Sequence, residues 1–352
     1  METRLPAPSS EPVRVGLVGF GYASATFHAP LLSAHPRFEI AAVVSSDPAR
    51  VHAALPDVQV WPGPEALLAD RTVEMVVVAT PNDTHAPLAE AALRAGRHVV
   101  VEKPMTLTAA EAERLDALAR SRGLVLSAFH NRRWDGDFRT LQHLVGTGAL
   151  GEVRELWSHF DRFRPAVRDR WRERDVPGGG ILYDLGSHLI DQALVLFGTP
   201  DAVWADVLAQ RHGASTDDAA HVVLRYGARR VHLHAAMLVA APPVRFAAHG
   251  TAGSYVVRGL DPQEDALKAG AVPGGPDWGT VAPGAYGVLT QGDTAHPVPT
   301  LPGDYPAYLT ALARAIRDGG PVPVPAAEAA LVLRVIEAAQ RSSRERREVA
   351  WG

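Results

Sequence analysis

Among 35 basic residues only Lys103 and Lys268 are lysines, so this chain meets nearly every need for positive charge with arginine. Arginine stays protonated in proteins, whereas a lysine shifted by burial or by neighbours can release and recover a proton. General acid–base catalysis is the role that needs this difference. Lys103 follows the run HVVVE and precedes Pro104, which puts it at the carboxyl edge of a buried strand, where doubly wound folds bind ligands. Chance survival of a lysine in an Arg-biased chain is the alternative, which the position of Lys103 disfavours; it suffices for Lys268, which falls in an expected loop.

A second group is GGGILYDLGSHLID, where Asp184 and His188 stand four apart and share a face if the helix already includes Asp184. Without context, the plain reading of Asp184 as an N-cap and His188 as a first-turn residue prevails. A neutral imidazole near a helix N-terminus is placed to relay a proton, because the dipole there disfavours the cation. No third ligand of suitable spacing accompanies the pair, so no metal is expected.

A third group, VRVGLVGFGYASATFHAPLL, is a strand running into a glycine turn and then a helix, the context a dinucleotide fingerprint requires. Gly19 permits the turn and Gly21 lets the backbone approach a pyrophosphate on the helix N-terminus. Phe20, Tyr22 and Ala23 complete the expected cofactor turn, and Ser24 stands where the fingerprint has Gly or Ala. Two glycines alone are as readily a plain turn, and a methyltransferase would also place a glycine turn after its first strand. The second strand ends in Ser45 and Ser46, with Asp47 beyond and Arg50 nearby. Two hydroxyls and an arginine accept a ribose phosphate, which favours NADP, while Asp47 keeps NAD open.

The elements that must position these groups are legible in outline. Five Val-rich runs, VRVGLVGFG, FEIAAVVSS, EMVVVAT, HVVVEKP and LVLSAF, read as buried parallel strands. Helix-period segments lie between and after them at about 25–33, 48–54, 64–68, 85–95 and 109–122, the last opened by a Thr108/Glu111 capping box. The alternation predicts a doubly wound α/β domain over residues 12–130, preceded by a loose tail over 1–11. Residues 131–352 change texture, because strand candidates follow one another with few helices between them. A largely antiparallel open sheet is expected there, with helices near 186–197, 305–317 and 326–340 and long loops over 269–303. Asn131 and Arg132, just after the fifth strand, are candidates for substrate contact. DRFRPAVRDRWRERD carries six arginines and Trp171; Trp171 is expected on a lid over the substrate, and most of the arginines are expected to be solvated and ion-paired.

A 352-residue chain with 47% hydrophobic residues suits two globular domains, and a net charge of -4 disfavours a nucleic-acid partner. With no cysteine, disulfides, thiolate metal sites and a thiol nucleophile are excluded by inventory. No segment has signal-peptide or membrane-span character, so a cytoplasmic protein without membrane contact is expected.

Taken together, GFGYASATFHAPLL, VVVATPNDTHAPLAEAAL, GRHVVVEKPMTLT, FHNRRWD, LGEV with HFDRFRP, GGGILYDLGSHLIDQAL and the terminal SSRERREVAW resemble the Gfo/Idh/MocA family, relatives of glucose–fructose oxidoreductase and inositol dehydrogenase. The resemblance implies that Glu102, Lys103 and Pro104 form its EKP element and that Asp184 and His188 complete the catalytic group. It also implies that Thr80, Pro81, Asn82 and His85 line the nicotinamide side of the cofactor. An open sheet face covered by a second subunit follows too, so a homodimer or homotetramer is expected, with His232 and His234 on that face and outside catalysis. The expected reaction is reversible hydride transfer between NAD(P) and a secondary alcohol of a sugar or cyclic polyol, with Lys103 or His188 handling the proton. The alternatives are reduction of an imine, enone or bilin-like substrate on the same scaffold, or a dinucleotide-binding sensor without turnover.

Overall fold

A computed structural model describes residues 11–242 and 244–352. Apart from Glu11, the expected tail lies outside the described residues. Six strands form the first sheet: β1 (Val13–Val18), β2 (Phe38–Val44), β3 (Gln59–Trp61), β4 (Met75–Val78), β5 (His98–Val101) and β6 (Leu126–Ala128), in the order β3-β2-β1-β4-β5-β6. All of the pairings are parallel. Five strands were legible and β3 was not, because three half-exposed residues carry no apolar run. Chain direction along the sheet reverses between β1 and β4, and a crevice opens at the carboxyl ends of such strands. Thr108 and Glu111 cap the helix Ala109–Ser121 reciprocally, as their spacing predicts.

The second sheet has nine strands: β7 (Val153–His159), β8 (Ala202–Leu208), β9 (Ala219–Tyr226), β10 (Arg229–Ala236), β11 (Val244–Gly250), β12 (Ser254–Arg258), β13 (Gly287–Gln291), β14 (Thr294–Val298) and β15 (Val349–Ala350). It is mostly antiparallel, except that β7 and β10 run parallel at its centre. The stretch 269–303 is not all loop, since β13 and β14 form a hairpin there. That hairpin is mostly exposed, so it lacks the apolar alternation by which a strand is read from sequence. Lys268 likewise ends the helix Gln263–Lys268 and does not lie in a loop.

Helices Ser187–Phe197 and Ala326–Glu345 pack on one face of this sheet. On the other face Trp157 stacks on His232 with ring centroids 3.9 Å apart, and His159, His221 and His234 lie beside it. His232 and His234 therefore lie on the sheet face opposite those helices.

The two sheets share one core. Helix Ala326–Glu345 packs on both helix Ala109–Ser121 and β8, while the Tyr308 hydroxyl donates to Ser127 Oγ at 3.0 Å. Arg317 bonds both carboxylate oxygens of Glu74 at the foot of β4. No helix among the described residues is long and apolar enough to cross a membrane.

Candidate active site

The glycine turn leaves β1 at Gly19, whose φ is +93°; a Cβ there would lie 2.6 Å from the Ala79 carbonyl oxygen, so only glycine fits. At Gly21 an added Cβ would meet nothing within 4 Å. Protein packing does not require that glycine, which leaves space for a ligand. Ser24 explains the departure at the third fingerprint position. Its buried hydroxyl donates to the Gly19 carbonyl at 2.6 Å and closes the turn from the helix side. An approachable backbone in front of a helix N-terminus fits a dinucleotide pyrophosphate.

Lys103 is delivered by β5. Before it, buried Glu102 lies 2.8 Å from His28 Nε2 through one carboxylate oxygen, and the other accepts the Lys103 N–H at 3.1 Å. Burial pushes the Glu102 carboxyl up, but His28, then Lys103 and His85, outweigh it and hold it below the usual range. The Lys103 ammonium donates to the backbone carbonyl of Asp184 and lies 3.0 Å from Asp184 Oδ1. Burial lowers the Lys103 pKa against the pull of Asp184, and Arg172 lowers it further. The Asp184 carboxylate, pushed up by burial but held by Lys103, Arg172 and Arg162, stays far below its ordinary value.

Asp184 sits in a π-helical turn, Leu182–Gly186, that runs straight into helix Ser187–Phe197. Asp184 is therefore inside the helix, not its N-cap, and shares the helix face with His188. Burial first, then Lys103, Arg132, His130 and Arg245, pushes the His188 pKa well below its ordinary value, so the ring is neutral near pH 7. Its Nδ1 is buried without a hydrogen-bond partner among the described residues.

Three contiguous cavities meet here. The largest, about 590 Å³, is lined by Lys103, Asp184, His188, Asn131, Arg132, Glu102, Tyr22 and Ala23. The second, about 270 Å³, shares Tyr22, Ala23, Glu102 and Lys103 and adds Gly19, Gly21, Thr80, Pro81, Asn82, His85 and Trp171. Trp171 therefore faces the side of the glycine turn and not the large cavity. The third, about 460 Å³, is bordered by Gly19, Phe20, Gly21, Ser45, Ser46, Arg50, Thr80 and Pro81. Asp47 borders it as well, but its carboxylate accepts the Arg50 N–H at 3.0 Å as an N-cap. His85 is buried between the carbonyls of Thr80 and Pro104, 2.9 Å from each, and ties those two loops together.

Sequence reasoning missed several groups in or behind the cavity walls. His28 lies inside a quoted motif but carried no role there, and Glu264 had no local signal at all. Glu264 binds Arg132 and accepts the Tyr22 hydroxyl at 2.7 Å, which links the glycine turn to the second sheet's loops. Lys268, to which the sequence gives no role, also lines the large cavity, paired with Glu264 and Asp265. Among the described residues one cluster, His159, Asp161 and His234, gathers metal-competent atoms within 4.8 Å. It lies on the uncovered sheet face and lines none of these three cavities.

A dinucleotide turn joined through a shared lysine to a larger polar cavity defines an NAD(P)-binding oxidoreductase. The family model for the NAD-binding Rossmann fold matches residues 13–130, and that for the C-terminal alpha/beta domain matches residues 142–351. The chain belongs to the Gfo/Idh/MocA oxidoreductase family. It is 51% identical to the oxidoreductase YdgJ of Escherichia coli (strain K12) over 341 residues, covering 96% of this chain and 98% of YdgJ. It is 41% identical to the scyllo-inositol 2-dehydrogenase (NADP(+)) IolW of Bacillus subtilis (strain 168), covering 96% and 95% of the two chains. The solved structure of the oxidoreductase yvaA from Bacillus subtilis superposes with a TM-score of 0.94 at 39% identity, covering 98% of this chain and 100% of that one.

Proposed function

We propose that this protein catalyses reversible oxidation of a secondary alcohol on a sugar or cyclic polyol, with NADP as the preferred cofactor. The observation that carries this reading is Lys103, whose ammonium lies 3.0 Å from Asp184 Oδ1 on the wall common to the glycine-turn cavity and the large one. A dinucleotide held by the glycine turn would supply the hydride acceptor in oxidation and the hydride donor in reduction. The neutral Lys103 amine takes the hydroxyl proton at Nζ, and in the reverse direction its ammonium returns it. Asp184 fixes the direction of Nζ and keeps the lysine pKa from falling further under burial. Neutral His188 presents a ring nitrogen to the same hydroxyl and orients it. Asn131 and Arg132 bind the substrate, and Trp171 packs against the cofactor side.

NADP is favoured because Ser45, Ser46 and Arg50 border the third cavity while Asp47 is occupied in capping a helix. The NADP(+) in the name of the Bacillus relative is consistent with this choice. We assign residues 12–130 to the cofactor domain and 131–352 to the substrate and assembly domain. A homo-oligomer joined through the uncovered sheet face, in the cytoplasm, completes the reading.

The deciding experiment follows absorbance of reduced nicotinamide while wild type and Lys103→Met are offered polyols and sugars. Turnover is expected to vanish in the variant while cofactor binding persists. Full activity of Lys103→Met would refute the assignment.

A further inference from the structure

Charge around the large cavity is unbalanced. Eight lysine and arginine side chains line it against five carboxylates, an excess of three positive charges. Most of the cations are engaged: Lys103 and Arg172 by Asp184, Arg132 by Asp135 and Glu264, Arg170 by Glu173, and Lys268 by Glu264 and Asp265. Arg162, Arg164 and Arg168 remain. Among the described residues none of these three side chains has a carboxylate within 4.0 Å or a hydrogen-bond acceptor, so they are the cations of this lining left without a counter-charge.

The backbone that carries these arginines is held in place. After β7 the chain continues extended beside β10, with Phe160, Arg162 and Arg164 donating their N–H groups to His234, Ala236 and Met237. Period-two alternation then puts Phe160, Arg162 and Arg164 on the cavity face and His159 and Asp161 on the opposite one. Arg211 buttresses the next stretch from behind. It is buried between Glu173 and Asp218 and donates to the carbonyls of Arg164 and Ala166, 3.1 Å from each. Glu173 also accepts the Arg168 N–H at 3.0 Å.

Burial and then repulsion from neighbouring arginines act on Arg164. Arg164 is held below the ordinary arginine range by desolvation and by Arg162, Arg168 and Arg170. A rigid segment that keeps like charges together without counter-charges is suited to a ligand that supplies one. The cofactor's own phosphates do not meet this requirement, since Arg162, Arg164 and Arg168 border neither cavity of the glycine turn.

We propose that the substrate is an anionic sugar or polyol, whose carboxylate or phosphate is gripped by Arg162, Arg164 and Arg168 while its reacting hydroxyl lies at Lys103. This rests on the dehydrogenase reading above and narrows its substrate class. Guanidinium groups pair with either anion in a bidentate fork, so both sources share one chemistry. The cavity of about 590 Å³ falls in the range that buries drug-sized ligands and has room for such a group beyond the ring.

The test uses the NADP-saturated protein with three matched probes: glucose, glucose 6-phosphate and glucuronate. Calorimetry measures binding of each, and nicotinamide absorbance measures turnover. The charged probes are expected to bind more tightly than glucose, and Arg164→Gln/Arg168→Gln is expected to remove that advantage, on the order of tenfold. Both arginines are partly or fully exposed and lack side-chain partners, so the double variant keeps the fold. Preference for glucuronate over glucose 6-phosphate assigns a carboxylate, and the reverse a phosphate. Equal binding of all three probes, or an anion preference untouched by the double variant, overturns the proposal even if neutral polyols are oxidised. Arginine-dependent anion binding without turnover supports the anion site and counts against the dehydrogenase reading instead.

Discussion

Lys103 and Asp184 meet twice: the ammonium lies 3.0 Å from the carboxylate Oδ1 and also donates to the backbone carbonyl of the same residue. One contact fixes direction and the other sets charge, so geometry and proton affinity can be separated by mutation.

In the oxidative direction Lys103 must be neutral. Because burial lowers its pKa, kcat/KM for alcohol oxidation is expected to rise with pH through a midpoint below the ordinary lysine value, and reduction to show the opposite slope. His188, neutral near pH 7, should add no limb near its ordinary pKa. Asp184 raises the Lys103 pKa, so Asp184→Asn removes a raising influence. The limb is expected to move to lower pH, with kcat falling on the order of a hundredfold. A pH profile of both enzymes measures the shift, and an unmoved limb means that Lys103 is not the titrating group.

The two glycines of the turn should respond differently. Gly19→Ala forces a Cβ against the Ala79 carbonyl at positive φ, so about 1–3 kcal/mol of stability should be lost. Gly21→Ala meets no protein atom within 4 Å, so the melting temperature should hold while cofactor affinity falls. Thermal unfolding and cofactor titration of both variants check this, and unchanged affinity in Gly21→Ala would show that no cofactor backbone passes there.

Cofactor choice should depend on Arg50, which borders the third cavity with Ser45 and Ser46. Arg50→Ala is expected to weaken NADPH binding on the order of tenfold and to spare NADH, as a lost charge-assisted contact to a 2′-phosphate requires. Fluorescence titration with both cofactors decides it. Equal losses would mean that Arg50 does not read the ribose phosphate.

Removing Arg211 leaves Glu173 and Asp218 buried without their shared cation. Arg211→Leu is expected to cost about 3–5 kcal/mol, read as a lower midpoint in urea unfolding. A loss below about 1 kcal/mol would place the pair among screened surface contacts.

The chain's local patterns determined a good deal. The glycine turn, the strand leading to Lys103 and the four-residue interval between Asp184 and His188 are written in neighbouring residues, because turns and helical periods are local chemistry. Tertiary structure alone decided the rest. Lys103 and Asp184 are 81 residues apart, and Tyr22 and Glu264 are 242 apart; nothing near either member announces its partner. The six arginines between residues 162 and 174 read as a solvated segment until the Arg162 and Arg164 N–H groups bond the carbonyls of Ala236 and Met237, at the end of β10 and just past it, and both side chains come to line the cavity. Strand β3 and the β13–β14 hairpin were invisible for the converse reason: they bury too little apolar surface to leave a period, and pairing with neighbouring strands fixes them.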